Sequence, residues 1–339
     1  MHDKPEHPPK KRIWLRYLIA TLLVALLLRA VPVSAIWSVL TNCDPILLGI
    51  AAVTIIAARL LGALRSKLLL DHQGISFSLL SIFQIGCAST LYGLLLPGSY
   101  SGGLIRWYRF SRPQNGYSEV FAALIAERVI DFLVLALFGL LCLRLEEPLR
   151  QLSVAIWGLS VVAGLCLFVF TAMVFGLGIP IVGFLRKFTR QSKGMPHTLP
   201  LWIDKFGNAL VHFNSLGARK AIVLIAISLL FHTVSTLTFF LMAEALDLDL
   251  AFASFGWIRA ATILLTVVPL TPSGVGIREF SLIYLLRPFS VPAPNAVAFS
   301  VLQYAGILFV ALIGGSMDIW RYLCAPLKVS KHEKGHKQI

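Results

Sequence analysis

Charge is scarce in this chain: Asp, Glu, Lys and Arg together make up 14% of 339 residues, and only 16 of them are acidic. Soluble domains carry roughly 25% charged residues, so a sizeable soluble domain is excluded. Cysteine is equally uninformative as a framework. Cys43, Cys87, Cys142, Cys166 and Cys324 have no paired spacing, which excludes a disulfide scaffold and a CxxC metal site. They read as packing residues. There is no GxSxG elbow, no phosphate-binding P-loop, no HExxH and no DDxxD cluster. Asp247 and Asp249 form an acidic pair with no adjacent histidine. Neither a metal nor a cofactor is called for.

What the chain does have is apolar length. Hydrophobic residues are 57% of the sequence, and mean hydropathy is +0.80. Stretches of about 18 or more apolar residues mark spanning helices. Full spans are expected near 13–32, 44–63, 119–143, 153–177, 220–243 and 293–320. Two further apolar regions, 76–112 and 251–288, are interrupted by Pro and Gly. The expected fold is an all-α polytopic membrane protein with about six full transmembrane helices, two re-entrant helical hairpins and an inverted repeat. Residues 1–12 form a basic cytoplasmic tail, 13–325 one transmembrane domain with halves at about 13–143 and 153–320, and 326–339 a second cytoplasmic tail. The stretch 178–219 is the longest outside the membrane, with candidate surface helices at Ile179–Arg190 and Leu201–Asn214. Val33-Ser34-Ala35 imitates a signal-peptidase site, but the preceding run is long enough to cross, so an uncleaved first span is expected.

The formal charge of +14 follows topology. With a cytoplasmic N-terminus, most of the 30 Lys and Arg fall on the inside, including Arg59, Arg65 and Lys67 and the group Arg106, Arg109 and Arg112. This satisfies the positive-inside rule and makes a nucleic-acid partner unnecessary. A multi-pass protein of the cell's inner membrane, with both termini cytoplasmic, is the expected localisation.

Pro97-Gly-Ser-Tyr-Ser101-Gly102-Gly-Leu-Ile105-Arg106 recurs 172 positions later as Pro269-Leu-Thr-Pro-Ser273-Gly274-Val-Gly276-Ile277-Arg278. Paired helix breaks at matching places in two halves point to a substrate site. After Gly103 about ten residues remain before Arg112 and Pro113, or ~15 Å of helix; after Gly276 about a dozen remain, or ~18 Å. A hydrocarbon core is ~30 Å thick, so neither descending arm can cross. The first arm of each hairpin is longer, which leaves a tilted full span with a partial return open. Three complete spans separate the hairpins, so the second enters from the opposite face. Simple tight turns between short helices are the plainer alternative.

Arg106 and Arg278 fall in the first turns of the short helices, beside Ser101, Gly102, Ser273, Gly274 and Gly276. Free N–H groups at a helix start, with a guanidinium nearby, suit an anion such as phosphate. Glu279 adjoins Arg278; Arg106 alternatively snorkels with Arg109 and Arg112. In Glu127-Arg128-Val-Ile-Asp131 the carboxylates share a helix face at i,i+4, about 12 and 18 Å into their span. Three ionisable groups at that depth cost very roughly 7–10 kcal/mol before pairing, so they face protein or water. They read either as a charged gate or coupling network, with Glu127 pairing with Arg106 or Arg278 or taking up a proton, or as a structural knot. Gln303 and Tyr304 stand at the matching place in the second half. Gln84, His232, Ser235 and Arg259 are secondary cavity candidates, and Asp318 reads as a helix-end residue.

Together the Pro-Gly…Gly-Gly-x-x-Arg stretch, the Glu-Arg-x-x-Asp span and Thr271-Pro-Ser-Gly-Val-Gly-Ile-Arg278-Glu279 resemble the transmembrane, flippase-like region of lysylphosphatidylglycerol synthases and their stand-alone relatives. The resemblance covers roughly residues 12–325. It departs where that family usually carries Gly-Gly-x-Gly-Asp, since no acidic residue precedes Arg106 here. The resemblance implies an inner-membrane protein that moves a phospholipid or polyprenyl-linked lipid between leaflets. The soluble aminoacyl-transfer domain of the synthases has no counterpart, so lipid lysylation by this chain alone is not expected. The resulting expectation is translocation of an anionic phosphate-bearing lipid. An intramembrane lipid-modifying transferase, or a non-transporting scaffold for envelope lipid and glycan synthesis enzymes, are the alternatives.

Overall fold

A computed structural model describes residues 31–95, 101–145, 153–174, 211–267 and 274–324, with single positions between them (21, 29, 205, 207–209 and 271). The expected first span, 13–32, and the surface helix 179–190 lie outside the described residues, and 201–214 is described only in part. Among the described residues all regular structure is helical.

Among the described residues, ten α-helices can be traced from end to end, in chain order. They are α1 (Val33–Thr41), α2 (Pro45–His72), α3 (Leu79–Leu95), α4 (Ser101–Ser111), α5 (Tyr117–Leu145), α6 (Ser153–Val174), α7 (Gly217–Glu244), α8 (Phe252–Val267), α9 (Ile277–Leu286) and α10 (Ala293–Cys324). The segment that imitates a cleavage site is the first turn of α1, entered from an extended Pro32. Asp44 starts α2: its carboxylate accepts the N–H groups of Ile46 and Leu47 at 2.7 and 3.4 Å, and Pro45 fills the first helical position.

Among the described residues, three helices are both long and apolar enough to cross a membrane: α2, α7 and α10 through Arg321. In their most apolar windows only 17%, 28% and 44% of residues are buried inside the protein. Large side chains such as Val53, Trp157, Leu230 and Leu312 are exposed on outer faces. Outward-facing apolar surface on this scale needs hydrocarbon around it. α5 is as long, at 29 residues, but carries Glu127, Arg128 and Asp131 within it. By contrast α3, α4, α8 and α9 have 17, 11, 16 and 10 residues, lengths of about 15–25 Å that fall short of a ~30 Å core.

The repeat extends well beyond the motif. Pro45 and Gly217 open helices of 28 residues each, 172 positions apart. α8 starts one residue after the place equivalent to the start of α3. α5 and α10 correspond at a spacing of 176. The packing obeys the same correspondence: α3 crosses α10 as α8 crosses α5, and α2 lies against its own counterpart α7. That central pair is antiparallel. Along α2, Thr54, Gly62 and Arg65 meet Thr238, Phe231 and Ser228 in turn. At the two ends, Asp44 N–H donates to the Ala245 carbonyl at 3.0 Å and the His72 ring stacks on His212 at 4.9 Å. The halves are therefore inverted.

Glycine sets both crossings. A Cβ at Gly314 would collide with the backbone of Cys87 and Ala88, and one at Gly139 would lie 2.6 Å from Ala260 Cβ. Small residues let helix axes approach closely where apolar burial gives little drive.

Candidate functional site

Two chambers lie between the halves, of about 370 and 310 Å³. Arg59, Phe231 and Ile307 border both. Arg59 is halfway along α2, and Phe231 is its repeat equivalent on α7.

The first chamber is built from α2, α3, α4 and α5, and its charge is largely self-paired. Arg106 Nη1 and Nη2 donate to Glu127 Oε1 and Oε2 at 3.1 and 2.7 Å, a two-pronged clamp. Arg106 also donates to the Ser66 hydroxyl, which lies 3.0 Å from Glu127 Oε2. Arg65 Nη1 reaches Asp131 Oδ1 at 2.9 Å, and its Nη2 lies 3.5 Å from Glu127. His232 Nε2 is 3.2 Å from the same Asp131 oxygen, while its Nδ1 is 3.1 Å from Arg259 Nη1. A continuous polar chain thus runs from Arg106 to Arg259. Arg128 is the loose member: it approaches Asp131 only at 3.9 Å, and its side chain is 62% exposed and borders the first chamber.

The second chamber is built differently. Among the described residues, Arg59, Arg259 and Arg278 line it and no carboxylate does. The Arg278 guanidinium lies over the Tyr304 ring at 4.5 Å. Gln303, Thr262 and Ser235 add polar walls.

The candidate residues divide accordingly. Gly102, Arg106, Glu127, Arg128, Asp131 and Tyr304 line the first chamber, and Arg278, Gln303, Ser235 and Arg259 the second. Ser101, Gly274, Gly276, Glu279, Gln84 and His232 line neither chamber, and Ser273 lies outside the described residues. Glu279 is occupied elsewhere: it accepts the Gly276 N–H at 2.6 Å and the Ser300 hydroxyl at 2.7 Å, capping α9. Arg106 sits in the second turn of α4, not the first; Arg278 is in the first turn of α9.

The recurring glycines do different jobs. Gly102 lets α4 approach α3, since a Cβ there would be 2.6 Å from the Ser89 carbonyl oxygen. Gly274 and Gly276 instead have φ of 73° and 85°, a left-handed turn that side chains disfavour.

Arg59 and Arg65 were missed as site residues. Both read in the sequence as cytoplasmic-side charges, Arg59 near the end of a span reaching 63 and Arg65 just past it, but α2 continues to His72, which places Arg59 at its middle and buries Arg65 to 4% exposure. The available signal was Leu68-Leu69-Leu70, which prolongs the apolar run past the cations. Asp318 is more than a helix end, since it takes both Arg109 Nη groups at 2.9 and 2.6 Å and ties α4 to α10.

Residues 13–315 match the family model described as the lysylphosphatidylglycerol synthase TM region. The chain belongs to that family. It is also 26% identical, over 238 residues, to a UPF0104 membrane protein of Methanocaldococcus jannaschii, covering 69% of this chain and 95% of that relative. As a multi-pass membrane protein of the synthase-region family, it has a role connected with membrane lipid. Both chambers lie within the matched residues, at the interface of the inverted halves.

Proposed function

We propose that this chain moves an anionic, phosphate-bearing lipid between the leaflets of the inner membrane, with its termini on the cytoplasmic side. The observation that carries the proposal is the pair of chambers at the inverted seam, whose walls hold more guanidinium groups than carboxylates. Charges at membrane depth are costly and mark substrate pathways when a cavity surrounds them. The phosphate travels through the chambers past Arg59, while the acyl or prenyl chains stay in hydrocarbon. The Arg106–Glu127 clamp closes the first chamber; a phosphate competing for Arg106 opens it, because one guanidinium cannot hold two anions in the same geometry.

A leaflet-resolved assay in proteoliposomes tests this, with labelled phosphatidylglycerol and undecaprenyl phosphate as cargo. The parent chain is expected to equilibrate one of them, Arg278→Ala to slow movement at least tenfold, and Glu127→Gln to change its rate by a similar factor. Movement of every lipid tested that is unchanged in both variants removes the assignment, and a new covalent lipid product favours a transferase.

A further inference from the structure

The two chambers are repeat equivalents by position, yet they are not chemical equivalents. In the first, Glu127 and Asp131 neutralise Arg65 and Arg106 through their Nη groups, although each Nε stays unpartnered. In the second, donors stand without acceptors. Gln303, 7% exposed, has Nε2 unpartnered, and Thr262, 3% exposed, has its hydroxyl unpartnered. Arg278 Nη1 is likewise buried without a partner. Arg59 makes no hydrogen bond or ion pair among the described residues.

Unpartnered donors occur elsewhere too, at Arg65 Nε, Arg106 Nε and the Tyr304 hydroxyl in the first chamber and at Thr236, Trp257 and Thr271 outside both, but only those of the second chamber share a wall with no carboxylate among the described residues. Nearby hydroxyls satisfy themselves by bonding back along their own helices: Thr266 to the Thr262 carbonyl at 2.9 Å, Thr238 to Val234 at 3.1 Å and Ser235 to Phe231 at 2.7 Å. Buried donors left unpaired are expensive, so a cluster of them at one cavity wall is best explained by an acceptor that comes and goes.

We propose that the second chamber is a seat for a phosphate group that bears no ammonium partner, held by Arg59, Thr262, Arg278 and Gln303. The proposal deepens the translocation reading by naming the headgroup class. Four donors and no lining carboxylate suit the oxygens of an anionic phosphate. A zwitterionic headgroup would bring its cation among Arg59, Arg259 and Arg278 with no carboxylate on the wall to receive it. The nearest carboxylate in sequence, Glu279, is already taken by Gly276 and Ser300. Selectivity therefore comes from repulsion as much as attraction.

The test is equilibrium binding to the full chain purified in detergent, with dihexanoyl phosphatidylglycerol, dihexanoyl phosphatidylcholine and inorganic phosphate as probes. Phosphatidylglycerol is expected to bind at least tenfold more tightly than phosphatidylcholine. Gln303→Leu and Thr262→Val should each weaken it about tenfold, the worth of one hydrogen bond to a charged group. Arg278→Gln should abolish it. Thr236→Val is the control, because Thr236 is a buried, unpartnered hydroxyl that lines neither chamber; it should bind as the parent does. Phosphatidylcholine binding as tightly as phosphatidylglycerol, or Thr236→Val weakening binding as much as Thr262→Val, overturns the seat. So does absence of binding by all three probes. Inorganic phosphate binding as tightly as the lipid, with no leaflet movement in vesicles, keeps the seat and removes the lipid-transport reading.

Discussion

Arg65 shows how burial converts a charge from a topology marker into a structural obligation. It is 4% exposed and faces Asp131 and Glu127 from α2. Removing one partner of such a pair leaves a bare buried ion, at a cost of about 3–5 kcal/mol. Arg65→Met should therefore lower the unfolding midpoint in detergent sharply. Arg65→Met with Asp131→Leu should recover more than half of that loss, because an apolar pair of similar volume needs no counter-ion. A double variant no more stable than the single one would show that Arg65 is not held by this pairing. The i,i+4 carboxylates of α5 were legible from spacing alone, since helical periodicity fixes their common face. Of their partners, Arg106 was one of two alternatives named for Glu127, and the structure decides for it; Arg65 and His232, on two further helices, were not legible as partners.

At the scale of elements, two glycine classes give opposite expectations. Gly314 lies where α10 crosses α3 backbone to backbone, so Gly314→Ala must push two helices apart. Gly103, in the recurring motif, has no atom within 4 Å of its would-be Cβ. Gly103→Ala should thus fold like the parent, while Gly314→Ala should lose monodisperse protein on size-exclusion chromatography. Equal yields from both would show that the crossing tolerates separation. The hairpins themselves were readable, because a Pro-Gly break followed by too few residues cannot span a bilayer whatever the rest of the chain does. The different roles of Gly102 and Gly274 were not readable, since close approach and left-handed backbone both select glycine.

At the scale of the whole molecule, the antiparallel α2–α7 pair carries a topological consequence. Asp71 at one end and Asp247 at the other are both exposed, and they should open on opposite sides of the membrane. Asp71→Cys and Asp247→Cys, each placed in a chain freed of its five native cysteines, should react with an impermeant thiol reagent from opposite faces of sealed vesicles. Labelling of both from one face would contradict the inverted arrangement and, with it, the alternating exposure that translocation requires.

The sequence by itself determined that the chain is a helical membrane protein with two broken regions, because apolar length, Pro and Gly placement and charge scarcity act locally along the chain. It also exposed the motif spacing from which the repeat is recognised. Only the tertiary structure decided which guanidinium meets which carboxylate, and that Arg59 stands between two chambers while Arg278, Gln303 and Thr262 keep donors unpaired. Pairing across helices depends on their crossings and rotations, and those are set by packing of residues far apart in the chain.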